Sequence, residues 1–109
     1  NNPQINVVKS KQINVVSDIT FTAVVTISGV TGLTISSSNS AVMTSARSFS
    51  NSFGAMFHIA SGSDVTFTGL GLKSGSANLG GCISVNGGST VEVDDVDFTS
   101  CLSVSQLSF

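Results

Sequence analysis

The sequence predicts an all-β fold, a right-handed parallel β-helix with three short strands per coil and about four coils. Three observations carry that expectation. Apolar residues alternate with polar ones at a period of two along nearly the whole chain, and helical periodicity is absent. The alternating segments repeat at fixed offsets. The polar residues are Ser, Thr, Asn and Gly, with 21 Ser and 10 Thr in 109 residues, while only 9% of the chain is charged, well below the roughly 25% of ordinary soluble domains.

The elements follow in order. Ile5/Val7, Ile13/Val15 and Ile19/Phe21 read as the three strands of a first coil, each with one inward face. Val25/Ile27 and Leu33/Ile35 open a second coil. Its third strand is obscured in residues 36–54, the largest irregular stretch, where Ala41/Met43 supply a displaced strand. Phe57/Ile59, Val65/Phe67 and Leu70/Leu72 form the third coil, and Ile83/Val85, Val91/Val93 and Val96/Phe98 the fourth.

Residues 55–75 slide by 26 positions onto 81–101 without a gap, and all six inward positions match in class. A shift of 32 lays Val25, Ile27, Leu33 and Ile35 on Phe57, Ile59, Val65 and Phe67. A further shift of 20 brings Ile5, Val7, Ile13 and Val15 into the same roles. Coils thus start near residues 5, 25, 57 and 83, and the next begins at Phe109, all within one segment, 1–109.

Stacking such coils at ~4.8 Å lines up equivalent residues. The expected ladders are Ile5–Val25–Phe57–Ile83–Phe109, Ile13–Leu33–Val65–Val91 and Ile19–Leu70–Val96. Gly29, Gly62 and Gly87/Gly88 all fall in the turn between first and second strands, which argues for turn geometry and against a phosphate loop. A β-sandwich also has many short strands, but its strands seldom keep one offset through four units.

Composition also excludes functions. Lys9, Lys11, Arg47 and Lys73 do not cluster, and Trp and Tyr are absent, so the basic stripe and stacking platforms of a nucleic-acid binder are missing. No run approaches the ~20 apolar residues of a membrane-spanning helix. The chain does not begin with Met and shows no cap at either end. This reading makes it a segment of a longer or filamentous protein, with neighbouring coils or subunits as its partners.

Some residues resemble known motifs. Gly80-Gly81-Cys82-Ile83, with a weaker copy at Gly54-Ala55-Met56-Phe57, precedes a first strand, and Phe98-Thr99-Ser100-Cys101 follows a third. These resemble the Gly-Gly-small-aliphatic and Phe-x-x-Asn elements of surface repeats of the polymorphic outer-membrane-protein and adhesin type, with Cys101 where Asn is expected. The overall pattern resembles the pectate-lyase-like superfamily of β-helix proteins. The resemblance implies an extracellular or cell-surface location. It also implies a structural or adhesive rod mediating assembly or glycan contact; no catalytic constellation is visible in the sequence, so an enzyme is not expected. The competing expectation is a fragment of a pectate-lyase-like polysaccharide-processing enzyme.

The candidate site residues are few. Glu92, Asp94, Asp95 and Asp97 crowd into six positions. With Val91, Val93, Val96 and Phe98 inward, Glu92 and Asp97 point outward and Asp94 and Asp95 occupy the turn. Such carboxylates are weak candidates for Ca²⁺, which takes six to eight oxygens, or for acid and base in glycan hydrolysis. Lyases resembling this fold add an Arg or Lys on the same face. Here the positions one coil earlier are Thr66, Thr68, Gly69 and Gly71, so a solvated acidic edge is the simpler reading, with no catalytic residue and no cofactor.

Asn6, Thr26, His58 and Ser84 share an outward row on the first strands and form a candidate binding face. Cys82 and Cys101 flank one coil on the same side of the stack. They are either a disulfide, provided their Cα atoms lie within ~7 Å, or two free buried thiols.

Overall fold

The computed structural model describes residues 11–46, 55–75, 81–101 and 103–105. Twelve short strands make up these residues, and no helix occurs among them. They are β1 (Lys11–Asn14), β2 (Ile19–Phe21), β3 (Val25–Ser28), β4 (Leu33–Ser36), β5 (Val42–Ser45) and β6 (Phe57–Ala60). After them come β7 (Asp64–Thr68), β8 (Gly71–Ser74), β9 (Gly81–Val85), β10 (Thr90–Asp94), β11 (Asp97–Thr99) and β12 (Ser103–Ser105).

The strands form three four-stranded sheets, ordered β1-β4-β7-β10, β2-β5-β8-β11 and β3-β6-β9-β12. Every pairing is parallel. The chain therefore visits the three sheets in unvarying order, four times, and each strand pairs with the strand one circuit away. Parallel neighbours need a long connection between them. Here each connection contains the two intervening strands, which belong to the other two sheets.

Alternation sorts the side chains. Along β4, β6 and β7 every second residue is buried: Leu33 and Ile35, Phe57 and Ile59, Val65 and Phe67. The partner positions between them are polar and half-exposed. Phe67, Val65, Ile59, Leu72 and Val91 are 0% exposed and form the centre of one continuous core. Phe57 sits edge-to-face against Phe67 at 5.1 Å and against Phe21 at 5.5 Å. These aromatic contacts join side chains from all three sheets.

The shift of 32 and the shift of 26 both hold. Val25, Ile27, Leu33 and Ile35 lie beside Phe57, Ile59, Val65 and Phe67. Phe57, Ile59, Val65, Phe67 and Leu72 lie beside Ile83, Val85, Val91, Val93 and Phe98. The irregular stretch does supply a displaced third strand, because Met43 lies between Ile19 and Leu72.

Three expectations require correction. Ile13 pairs with Ile35, and Lys11 takes the place beside Leu33, so the shift there is 22 and not 20. Ile19 belongs to the row Ile19–Met43–Leu72–Phe98, not to Leu70 and Val96. The strand added to β9 is Ser103–Ser105, with a register irregularity. Phe109, the expected start of that strand, lies outside the described residues, as do Ile5 and Val7.

The corners explain much of the Ser, Gly and Asp usage. Gly29, Gly62 and Gly87 adopt φ of 68°, 72° and 65° at the same turn in successive circuits, a left-handed conformation that favours Gly. Beside that turn, the buried Ser63 hydroxyl donates to Ala60 O at 2.7 Å and accepts from Val30 N at 3.1 Å. Ser63 N in turn donates to the Ser89 hydroxyl at 3.0 Å. Hydroxyls thus satisfy backbone donors where the strand ladders break. At the next corner the Ser37 hydroxyl accepts from Ala41 N at 3.0 Å, and the Asp18 carboxylate accepts from Val42 N at 2.9 Å. These bonds fix the entry into the displaced strand β5.

Candidate functional site

The acidic run is divided by the corner between two sheets. Thr90, Glu92 and Asp94 are the exposed positions of β10, alternating with buried Val91 and half-buried Val93. Asp97 is exposed on β11, in a different sheet. Asp95 stands at the corner with φ of 57°. One circuit earlier that corner is held by Gly69, with φ of 72°, whose N–H donates to the carbonyls of Asp94 and Asp95 at 3.1 Å.

Asp is among the few non-glycine residues that tolerate this conformation, so backbone geometry accounts for Asp95. The residues beside the others are Thr66, Thr68 and Gly71, none of which adds a charge. Among the described residues no group of three or more His, Cys, Asp or Glu side chains is placed to hold a metal ion.

Thr26, His58 and Ser84 do form one row across β3, β6 and β9. Asn6, expected in the same row, lies outside the described residues. On the β1-β4-β7-β10 sheet the outward rows are Gln12–Thr34–Thr66–Glu92 and Asn14–Ser36–Thr68–Asp94.

The cysteines are joined. Cys82 and Cys101 form a disulfide with Cα atoms 5.5 Å apart. Cys82 is fully buried on β9, and Cys101 is half-buried just after β11. The bridge closes one complete circuit of the chain onto itself.

The residues that sequence reasoning missed lie on the outer face of the β2-β5-β8-β11 sheet. Thr20, Thr44, Lys73 and Thr99 form one outward row there. Thr20, Thr44 and Lys73 line an open depression of about 670 Å³ with Ser45, Ala46, Ser74 and Gly75. A second depression on this sheet, about 160 Å³, is lined by Val42, Gly69, Gly71, Asp95, Asp97 and Thr99, among others. Gly71 lines it without a side chain; a Cβ there would stand 3.3 Å from a Val42 methyl. The available signal was the outward position of Lys73 beside Leu72.

Searched against protein-family models, curated proteins and solved structures, the chain matches none. The outer surface offers hydroxyl rows, and of the carboxylates Asp95 and Asp97 line one depression while Glu92 and Asp94 stand on the neighbouring sheet.

Proposed function

We propose that the chain is a stretch of right-handed parallel β-helix serving as a rigid structural and adhesive rod outside the cell. The observation that carries this reading is the unvarying order in which the chain visits its three sheets, with like residues stacked from circuit to circuit. Nearly all crossover connections between parallel strands are right-handed, which supports the hand. A stack of this kind gives stiffness and a long repeated surface in place of one deep cleft.

The first described circuit supports growth by stacking. Ile13, Ile19 and Val25 are 51%, 39% and 36% exposed, although the next residues in their rows, Ile35, Met43 and Phe57, are buried. An added circuit or subunit would remove that apolar surface from water and extend the sheets past β1, β2 and β3, which stand at the sheet edges among the described residues. Low charge, abundant Ser and Thr and a disulfide all suit an oxidising, extracellular setting.

Sedimentation velocity together with negative-stain microscopy tests the reading. Elongated particles that lengthen with concentration are expected, and Ile13→Lys with Ile19→Lys should keep them single. Compact particles that never associate, or association indifferent to those two substitutions, would contradict it.

A further inference from the structure

We infer that the Cys82–Cys101 disulfide is a reducible latch on the last described circuit, whose opening frees β10 and β11 while the rest of the stack stays folded. The pairing pattern makes this circuit the weakly held one. Among the described residues β10 has only β7 beside it and β11 only β8, whereas β7, β8 and β9 are each paired on both sides. Packing agrees. Val93 and Phe98 are half-buried, while Phe67 and Leu72, their partners one circuit inward, are 0% exposed.

The bridge ties the end of this weakly held stretch to its best-held neighbour. Cys82 stands on β9, inside the core. Cys101 follows β11, with its sulfur 3.6 Å from the Leu72 carbonyl oxygen of β8. The span between them, at a sequence separation of 19, contains β10, β11 and both adjoining corners. Without the bond, that stretch is tied to the stack only through the backbone at its two ends, by β9 and by β12, whose pairing with β9 is irregular in register, and circuits that contact only their neighbours open locally.

The chemistry is thiol–disulfide exchange with a dithiol reductant. Its thiolate attacks the Cys101 sulfur, the more exposed of the two, giving a mixed disulfide and releasing Cys82 as a thiolate that takes up a proton. The second thiol of the reductant then displaces Cys101. The balance is one protein disulfide plus one dithiol to two protein thiols plus one cyclic disulfide. Loop-closure entropy for a span of this length corresponds to a change on the order of a hundredfold in the opening equilibrium. Opening uncovers the edges of β7 and β8, to which another strand pair can add.

Hydrogen exchange followed by mass spectrometry on the whole chain, with and without dithiothreitol, tests the latch. Under reduction both thiols should alkylate, and amides of β10 and β11 should exchange about a hundredfold faster, while β4–β6 keep their protection. The pair Cys82→Ala and Cys101→Ala should reproduce that pattern without reductant. Thiols that resist reduction in the folded protein would overturn the inference. So would loss of protection in all strands together, or unchanged protection of β10 and β11 in either the reduced chain or the Ala pair.

Discussion

Replacing Phe67 by Ala probes the core where the three sheets meet. Phe67 is 0% exposed, lies between Ile35 and Val93 in its row, and meets the Phe57 ring at 5.1 Å with the planes 71° apart. Truncation of a buried Phe costs about 3–5 kcal/mol through lost transfer energy and the cavity left behind. The edge-to-face contact with Phe57 contributes about 0.5–1.5 kcal/mol of specific interaction, part of which is already inside that figure. A loss of about 4 kcal/mol is therefore expected, against a total stability of about 5–15 kcal/mol for a domain of this size. Urea unfolding followed by circular dichroism reads it, with Phe67→Leu as the milder control at about 1 kcal/mol. A loss below about 1 kcal/mol for Phe67→Ala would mean that this ring does not stand in a closed interior, and the packing argument would fall.

Other substitutions separate geometry from chemistry at the corners. A Cβ at Gly69 would stand 2.6 Å from Ser37 O, whereas one at Gly29 meets nothing within 4 Å; Ala should cost about 1–2 kcal/mol at Gly29 and about 3 kcal/mol at Gly69 by thermal melting. Ser63→Ala leaves Val30 N without its 3.1 Å acceptor and should cost about 1–3 kcal/mol in urea; a neutral result would remove the hydroxyl from the account of this turn. At Asp95, Asn should be within about 0.5 kcal/mol of the parent and Val should cost about 1–2 kcal/mol, because the left-handed φ and not the charge selects the residue. Calcium titration followed by melting should then leave the midpoint unmoved for the parent and for Asp95→Asn alike; a calcium-dependent rise lost in Asp95→Asn would restore the cation site.

The circuits from Val25 onward were legible because each inward row keeps one residue class at one offset. The same alternation hid the register at Ile13 and Ile19. A slip of two residues along a strand leaves every side chain on its original face, so Leu33 and Ile35 were equally good partners for Ile13, and Leu70 and Leu72 for Ile19. The hydrophobic pattern cannot tell them apart; backbone pairing decides. The carboxylates looked like one cluster because four fall within six residues, but the corner at Asp95 sends Glu92 and Asp97 to different sheets. The Thr20–Thr44–Lys73–Thr99 row and its depressions were illegible because they join residues more than twenty positions apart.

The central claim is that each strand pairs in parallel with the strand one circuit away and never with its neighbour in sequence. Cross-strand nuclear Overhauser effects on uniformly labelled protein test it most directly. Val65 should show backbone contacts to Leu33 and Val91, Ile59 to Ile27 and Val85, and Leu72 to Met43 and Phe98. Antiparallel contacts between β6 and β7, or between β9 and β10, would contradict the winding of the chain and the rod built on it.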